Sequence, residues 1–259
     1  MKFVAQLDAA VSKNNSLLCV GLDVDLSRLP QKFLAESDPI FLFNQAVIDA
    51  TKAYVCAYKP NSAFYELCGL YGLSSLIKTI DYIHASTNVP VILDAKRGDV
   101  GHSSGAYAKS AFEVFKADAV TVNPYLGHDS VEPFLAYQEK GVFVLCLTSN
   151  PGSKDFQTLG CQEPLYLTVA RHVKEWNHYG NCGLVVGATK PAEIKAVRDI
   201  VGDLPILIPG VGAQGGDLKL SVKYGGRRGI INASRSILYA ADPGAEAKKL
   251  RDEMNKYRS

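Results

Sequence analysis

The stretch VPVILDAKR (89–97) changes character halfway along its length. Its first half is a continuous run of apolar, largely β-branched residues, which is typical of a parallel strand covered on both faces. Its second half carries Asp94 and Lys96, two residues apart, so in an extended strand both side chains point to the same face. The stretch therefore predicts a buried strand that ends in opposite charges.

Seven other runs of the same kind recur along the chain, which makes eight in all. Stretches with helical spacing lie between them, including a long one over 62–86 and a short one over 217–224. The seven runs are LLCVGLD (17–23), AYVCAYKP (53–60), ADAVTVNP (117–124), GVFVLCLTSN (141–150), CGLVVGAT (182–189), LPILIPGVG (204–212) and RGIINASRS (228–236).

The alternation of strands and helices predicts the fold. A strand with its returning helix occupies ~30 residues, and eight such units without a linker fill the 259 residues. We therefore expect an α/β chain that forms a (β/α)8 TIM barrel, with residues 1–259 as a single domain and an extra N-terminal helix over 2–14. A doubly wound open sheet is the alternative, but it more often carries a GxGxxG loop after its first strand, and none follows Gly21.

The composition is that of a soluble globular protein. Hydrophobic residues make up 47% of the chain and charged residues 21%, so a large core can be buried. The formal net charge of +2 is dispersed, which argues against nucleic acid or an anionic membrane as a partner. No apolar window approaches the ~18 residues of a membrane span, and the first residues lack a signal-peptide pattern. These features predict a cytoplasmic protein.

The six cysteines show neither a CxxC pair nor regular spacing. Four of them, Cys19, Cys56, Cys146 and Cys182, lie in or beside the apolar runs, where a free thiol behaves as a small hydrophobe. We expect reduced core residues and not a disulfide framework. The histidines do not cluster near them, so no metal site is predicted.

Polar residues gather where the strands are predicted to end. In (β/α)8 barrels the carboxyl ends of the strands form the active-site face, so residues from separate strands should converge there. The residues at these ends are Asp23, Lys59, Asn61, Asp94, Lys96, Asp99, Asn123, Ser149, Asn150, Gln214 and Arg235.

Four charged residues dominate this face: Lys59, Asp94, Lys96 and Asp99. An unpaired charge facing a barrel interior is costly, so the opposite charges should pair and keep one another ionised at neutral pH. A lysine held in this way can donate a proton, and a neighbouring aspartate can press against a substrate anion. A structural salt bridge on the barrel rim is the alternative, but it gives no reason to bury charges from two strands.

A phosphate site is predicted after the last two strands. The glycine-rich stretch PGVGAQGGD (209–217) can offer backbone N–H groups in a tight loop, and NASRS (232–236) adds a basic side chain. Loops in these two positions often bind phosphate in such barrels. Gln214 and Arg235 are the natural side-chain donors, although the glycines alone would equally suit tight turns.

Six motifs together resemble those of the orotidine 5′-phosphate decarboxylase family, in its branch with a DAKRGD sequence. The resemblance extends from about Ser16 to Tyr239, and the motifs occur in the family's order. They are YKPNSAFYE (58–66), LDAKRGDVG (93–101), TVNPYLGHDSVEPF (121–134), TSNPGS (148–153), PGVGAQGGD (209–217) and NASRSILYA (232–240).

The resemblance implies conversion of orotidine 5′-monophosphate to uridine 5′-monophosphate, a step of pyrimidine biosynthesis, without a metal or an organic cofactor. Lys59, Asp94, Lys96 and Asp99 match the family's charged catalytic residues. Asp94 would face the substrate carboxylate, and Lys96 would deliver a proton to C6 as carbon dioxide leaves. Lys59 would hold the network and a ribose hydroxyl.

The resemblance also implies a homodimer, because in this family the second aspartate comes from the partner subunit. Asp99, with Val100, would then complete the neighbouring site across a two-fold axis. Ser103 would lie near the partner's ribose. Relatives commonly have threonine at this position, and the serine of this chain retains the hydroxyl group.

The remaining matches concern substrate binding. Asp23 matches a ribose contact, Ser149 a pyrimidine contact, and Gln214 with Arg235 the phosphate grip. Asn61 lies inside the motif YKPNSAFYE and Ser234 inside NASRSILYA. These two residues complete the predicted set of substrate-binding residues.

Three other functions fit parts of the pattern. A metal-dependent sugar-phosphate decarboxylase, synthase or epimerase shares a D-x-K-x-x-D spacing, but it needs a carboxylate where Lys59 stands. A Schiff-base aldolase needs a neutral lysine, whereas flanking aspartates favour the charged form. A non-catalytic phosphate sensor could keep Gln214 and Arg235 without needing the four charges. The decarboxylase is the prediction that gives a role to the four charged residues and to Gln214 and Arg235.

Overall fold

Eight parallel strands form one sheet in the computed structural model, which describes residues 1–160, 162–211 and 216–258. The strands are β1 (Leu18–Gly21), β2 (Ala57–Lys59), β3 (Ile92–Arg97), β4 (Ala119–Val122), β5 (Gly141–Leu147), β6 (Cys182–Val186), β7 (Ile206–Pro209) and β8 (Gly229–Ala233). Their order is β2-β1-β8-β7-β6-β5-β4-β3. Parallel bridges from Tyr58 to Val91 and from Asn61 to Asp94 join the two edges. The predicted barrel is confirmed.

A helix follows each strand and returns the chain to the start of the next one. The helices are α1 (Phe3–Asn14), α2 (Gln31–Leu34), α3 (Pro39–Thr51), α4 (Ser62–Glu66), α5 (Gly69–Ser86), α6 (Gly101–Lys109), α7 (His128–Leu135), α8 (Leu165–Trp176), α9 (Pro191–Val201), α10 (Leu218–Gly225), α11 (Arg235–Leu238) and α12 (Pro243–Asn255). A π-helical turn, Ser110–Val114, extends α6, and 3-10 turns occupy Leu26–Arg28, Pro151–Asp155 and Gly226–Arg228.

The extra N-terminal helix predicted from the sequence is α1, and it contacts the amino ends of the strands. Phe3 packs edge-on against Phe143 of β5, with ring centroids 5.6 Å apart. Asp8 accepts two hydrogen bonds from Arg228, which immediately precedes β8, and the shorter N–O distance is 2.6 Å. The helix is therefore fixed at the face of the barrel opposite the predicted site.

The stretch 62–86, predicted as one helix, is two helices in the structure, and the prediction was wrong at this point. The break lies between α4 and α5, where Gly69 has a φ of +60°. A left-handed residue interrupts the helical hydrogen-bond ladder, and glycine adopts this conformation at little steric cost. A periodic apolar pattern does not reveal such a break, because the same face stays apolar across it.

The strands are buried on both faces, which explains their continuous apolar runs. Every residue of β1, β2, β4, β6 and β8 is buried. The five cysteines in the described part of the chain are free, and four of them are buried, as predicted for core thiols. In the same residues, no helix combines the length and the apolar run that crossing a bilayer would need.

Candidate active site

A cavity of about 650 Å³ opens at the carboxyl ends of the strands. Residues from β2 through β8 and from the loops that follow the strands, including the loop after β1, line it, as the barrel prediction requires. Nine residues predicted from the sequence lie in its wall: Asp23, Lys59, Asn61, Asp94, Lys96, Ser149, Asn150, Ser234 and Arg235.

Three of these residues form a chain of ion pairs that we call the charged cluster: Lys59, Asp94 and Lys96. The ammonium of Lys59 donates to Asp94 Oδ2 at 2.8 Å, and the ammonium of Lys96 donates to Asp94 Oδ1 at 2.6 Å. Asp23 Oδ1 lies 4.0 Å from the Lys59 nitrogen on the other side. Lys59 is 3% exposed and Asp94 8%, so both charges are held away from bulk water.

The charges of the cluster set the protonation states of its two buried members. Burial alone would lower the pKa of Lys59, but the negative charges of Asp94 and Asp23 outweigh it and raise that pKa. Burial alone would raise the pKa of Asp94, but Lys59 and Lys96 outweigh it and hold that pKa well below its usual range. Lys59 is therefore an ammonium and Asp94 a carboxylate at neutral pH.

Lys96 reaches the cavity in a way that a regular strand would not predict. Its φ of +47° is left-handed, and β3 has an irregular register against β4 between Leu93 and Arg97. The side chain is 48% exposed, so it extends into the open cavity and is not packed in the barrel interior as the sequence suggested. The bulge in β3 is the cause, because it turns Lys96 toward the cavity while Asp94 stays buried.

The wall opposite the charged cluster is apolar. Leu145 of β5, Val185 of β6 and Leu207 of β7 each contribute one side chain to it. A flat ring can lie against such a wall while its polar substituents face the charges.

Two arginines line the mouth of the cavity, and we call them the cationic rim: Arg28 and Arg235. The Arg28 guanidinium lies over the ring of Tyr239, 4.1 Å from its centroid, and the Tyr239 hydroxyl accepts a hydrogen bond from the backbone N–H of Asp25. Within residues 1–160, 162–211 and 216–258, neither guanidinium forms an ion pair with a carboxylate. The rim therefore presents positive charge to an anionic ligand.

Between the rim and the charged cluster, β1 and β8 approach each other closely. A Cβ atom on Gly21 would lie 2.0 Å from Ser234 Oγ, so a larger residue at this position would displace the Ser234 side chain. The Asn232 amide donates to Ser234 Oγ at 3.3 Å, and its buried Oδ1 has no hydrogen-bond partner among the described residues. Asp23 Oδ1 also lacks one. This part of the wall offers acceptors for hydroxyl or N–H groups of a ligand.

Two further predicted residues in the wall are tied to the backbone. Asn61 Oδ1 accepts a hydrogen bond from the N–H of Ala63 at 3.1 Å and caps α4. The carbonyl of Ser149 accepts a hydrogen bond from Thr189 Oγ1 at 3.3 Å, which anchors the loop after β5. The Asn61 side chain and the Ser149 backbone are therefore held by fixed local structure.

Four predicted residues do not line this cavity, and one of them is Asn123, which follows β4. Asp99, Val100 and Ser103 follow β3 and do not line the cavity of their own chain. Asp99 Oδ1 accepts a hydrogen bond from the Val100 N–H at 2.8 Å, and the Val100 side chain is 52% exposed. Gln214, which the sequence also predicted for the site, lies outside the described residues.

The sequence analysis missed six polar residues of the cavity wall: Asp25, Arg28, Thr121, Thr148, Asn232 and Tyr239, of which Thr148 immediately precedes the predicted Ser149. Thr121 and Asn232 stand inside apolar runs, and a lone polar residue at an interior-facing position of such a run was a usable signal. The other three lie in connecting segments, where the sequence carried no sign that they return to the cavity.

The arrangement can hold an anion at the rim and a flat ring against the apolar wall, with an ammonium group beside the ring. A fixed ammonium in a site shielded from water stabilises negative charge that develops next to it, and can then donate a proton. No three His, Cys, Asp or Glu side chains are grouped as a metal site in the part of the chain that the structure describes.

Comparison with known sequences gives consistent matches. The family model described as "Orotidine 5'-phosphate decarboxylase / HUMPS family" matches residues 16–250. A protein of Azoarcus sp. (strain BH72) named orotidine 5'-phosphate decarboxylase is 52% identical over 272 residues, with 100% of both chains covered. One of Herpetosiphon aurantiacus with the same name is 49% identical over 252 residues, which cover 96% of this chain and 94% of the relative.

Solved structures with the same architecture agree with the sequence matches. The OMP decarboxylase of Leishmania donovani superposes with a TM-score of 0.89 at 42% identity, covering 100% of this chain and 99% of that one. The UMP synthase of the same organism superposes with a TM-score of 0.91 at 44% identity. This chain covers only 57% of that longer protein.

Proposed function

The chain belongs to the orotidine 5'-phosphate decarboxylase / HUMPS family, and we propose that it converts orotidine 5′-monophosphate to uridine 5′-monophosphate and carbon dioxide. It is thus a carboxy-lyase of pyrimidine biosynthesis that acts without a cofactor. The observation that carries the proposal is the charged cluster, in which Asp94 accepts hydrogen bonds from two lysines opposite an apolar wall.

The charged cluster supplies the chemistry. Loss of carbon dioxide leaves an electron pair on C6 of the pyrimidine, with no adjacent carbonyl to delocalise it. The ammonium of Lys96 stabilises that charge and then transfers a proton to C6, so the carboxylate is replaced by hydrogen. Asp94 faces the departing carboxylate and keeps Lys96 in place, because the two are already 2.6 Å apart.

Most of the rate enhancement should come from charges that are fixed before the reaction begins. Preorganised charges act strongly on developing charge in a site that excludes water. Crowding of the substrate carboxylate against Asp94 adds ground-state destabilisation, a mechanism whose general weight is contested. Lys59 keeps Asp94 ionised during this step and reaches a ribose hydroxyl.

The remaining predicted residues bind the rest of the nucleotide. Arg235 and Gln214 hold the phosphate, Asp23 a ribose hydroxyl and Ser149 the pyrimidine. Asn61 and Ser234 line the same cavity and complete the substrate contacts. Binding energy from the phosphate, far from C6, holds the ring in the reactive position.

The assay follows the ultraviolet absorbance of orotidine 5′-monophosphate with purified protein and excess EDTA. The wild type should deplete the substrate absorbance, and Lys96→Ala should reduce kcat by roughly 10³-fold or more because the proton donor is lost. Lys195→Ala, which removes an exposed lysine paired with Asp199, is the matched control and should retain full activity. A wild type that is inert with EDTA but acts on a sugar phosphate with magnesium would refute the assignment.

We further propose a homodimer in which Asp99, Val100 and Ser103 enter the cavity of the partner subunit. Two observations support this arrangement. The segment follows β3 beside the charged cluster, yet none of the three residues lines its own cavity. Val100 is also 52% exposed, so its apolar side chain is available to a partner subunit.

Shared sites can be tested by mixing two inactive variants. Lys59→Ala and Asp99→Ala should each be inactive alone, because each lacks one essential charge. Mixed dimers then contain one intact site, so equal amounts should recover about a quarter of the wild-type activity. If the mixture stays inactive while exchange of subunits is demonstrated, Asp99 does not act across the interface.

A cytoplasmic location also fits the free thiols. Buried, unpaired cysteines such as Cys19 and Cys146 are typical of proteins kept in a reducing compartment.

A further inference from the structure

β3 carries two more residues than β4 at the point where the charged cluster forms. Leu93 pairs with Val120 and Arg97 with Val122, so three residues of β3 (94–96) face the single residue Thr121 of β4. A regular ladder of backbone hydrogen bonds cannot be formed across such a bulge, because the numbers of donors and acceptors no longer match. Another group must therefore satisfy the backbone at this position.

The hydroxyl of Thr121 makes this connection. It accepts a hydrogen bond from the backbone N–H of Lys96 at 2.9 Å and donates one to Asp94 Oδ1 at 3.0 Å. Thr121 is 1% exposed, so water does not compete for either bond. A hydroxyl is suited to both tasks because it carries one donor and two acceptor lone pairs.

Both bonds act on residues of the proposed chemistry. The first secures the backbone of Lys96, whose φ of +47° is strained for a residue with a side chain. The second gives the Asp94 carboxylate a third donor beside the ammonium groups of Lys59 and Lys96, which fixes its rotation. The direction of the Lys96 ammonium is thus determined at both ends, by its backbone and by its ion-pair partner.

We propose that Thr121 is a positioning residue for the decarboxylation: its hydroxyl holds Asp94 and the left-handed backbone of Lys96 so that the ammonium meets C6. The inference rests on the proposed function for its catalytic consequence. The part of the inference that concerns structure, that Thr121 fixes the position of Lys96, does not depend on the substrate.

The kinetic test compares Thr121→Val, which keeps the shape and removes the hydroxyl, with Thr121→Ser, which keeps the hydroxyl. Thr121→Val should lower kcat roughly 10- to 100-fold, as expected when a supporting group is removed and the reacting group shifts. The KM for orotidine 5′-monophosphate should change by less than about threefold, since Thr121 holds the proton donor and not the phosphate. Thr121→Ser should restore kcat to within about threefold of the wild type.

The control variant is Thr79→Val, which removes a buried hydroxyl in α5 that also has two hydrogen bonds. This hydroxyl donates to the Ser75 carbonyl at 2.7 Å and accepts from the Asn44 amide at 3.1 Å, and Thr79 does not line the cavity. Thr79→Val should leave kcat unchanged. All variants are compared below their measured unfolding temperatures. A full kcat in Thr121→Val overturns the inference, and so does an equal loss in Thr121→Val and Thr121→Ser.

A second measurement needs no catalysis. Acetic anhydride acetylates lysines, and mass spectrometry gives the rate at Lys96 relative to the exposed Lys248 of the same molecule. Freed from its position, Lys96 should react about threefold faster or more in Thr121→Val than in the wild type or Thr121→Ser. Equal acetylation rates at Lys96 in all three proteins would overturn the inference that Thr121 fixes the position of Lys96. If the wild type proves inert on orotidine 5′-monophosphate, the proposed function fails, and this measurement still decides the role of Thr121.

Discussion

The charged cluster and the cationic rim lie in one cavity but are built on opposite principles. In the cluster, Lys59 and Lys96 are both paired with Asp94 inside the protein. In the rim, Arg28 and Arg235 have no carboxylate partner among the described residues. The cluster is complete before substrate arrives, whereas the rim needs the charge of the ligand. In the proposed reaction, the charges that act on C6 are thus preorganised, and the affinity depends on a charge that only the substrate supplies.

The strongest test of this comparison is Asp94→Asn. It should lower kcat roughly 10²- to 10³-fold, because the electrostatic hold on Lys96 is lost. It should also reduce the free energy of unfolding by about 3–5 kcal/mol, because Lys59 remains buried without its charged hydrogen-bond partner and with only Asp23 4.0 Å away. Kinetics and urea unfolding measure the two effects.

Asp118→Asn is the matched control for Asp94→Asn. Asp118 is also an ion-paired aspartate, bonded to His84 at 2.9 Å, but it immediately precedes β4 at the other end of the barrel. This control should lose stability and keep kcat. Full stability in Asp94→Asn would contradict the view that the cluster is an internally paired unit.

Arg235→Ala should show the opposite pattern. Loss of a charged hydrogen bond to phosphate corresponds to ~1.5–3 kcal/mol, so kcat/KM should fall roughly 10- to 100-fold. Stability should not fall, because the structure gives Arg235 no ion pair to lose. Arg227→Ala, which removes an exposed arginine paired with Asp203, should leave kcat/KM unchanged. A large loss of stability in Arg235→Ala would show that the rim is paired inside the protein.

The pH dependence of stability sharpens the description of the cluster. The pKa of Asp94 is lower in the folded protein, so its stabilising contribution is complete above the unfolded-state pKa of about 3.9 and is lost as the pH falls through the folded-state value. The pKa of Lys59 is raised, so its contribution is lost only at strongly alkaline pH. The cluster should therefore contribute constantly between about pH 6 and 9.

Urea unfolding of the wild type and Asp94→Asn at several pH values measures this contribution. Their difference in unfolding free energy should be flat near neutrality and shrink by about 1 kcal/mol between pH 4 and 3. A difference that grows on acidification would mean that Asp94 is protonated in the folded protein at neutral pH.

The smallest expected effect concerns Arg28. Its guanidinium is stacked on Tyr239 at the solvent-exposed edge of the cavity. Arg28→Ala should raise the KM about three- to fivefold without changing kcat, as expected for an exposed ion pair with the substrate phosphate. Lys32→Ala, in the adjacent α2, lies outside the cavity and should leave the KM unchanged. Equal effects of the two substitutions would indicate general surface charge and not a contact.

The sequence predicted the eight strands and most of the site because both depend on local patterns. Continuous apolar runs required burial on two faces, and polar residues at the ends of those runs required a common edge. Lys59, Asp94 and Ser149 were found in this way, and the structure places them in one cavity. Arg28 and Tyr239 were not found, because their place at the cavity depends on how two connecting segments fold back.

The break at Gly69 and the bulge in β3 were missed for a related reason. Each changes the backbone conformation without changing the apolar pattern that surrounds it. Lys96 is the clearest example, since its spacing from Asp94 predicted the right neighbour but not the left-handed φ of +47°.

The pattern of apolar runs, with charged residues at the carboxyl ends of the predicted strands, determined three features. These are the barrel, the face that carries the candidate site, and the lysines and aspartates predicted for that site. These features follow from burial and side-chain alternation, which act over a few residues. Tertiary structure alone decided that Thr121 faces three residues of β3 and that Arg28 joins Arg235 at the cavity. The register between strands and the path by which a connecting segment folds back to the cavity are set by packing between distant segments. No local sequence pattern indicates them.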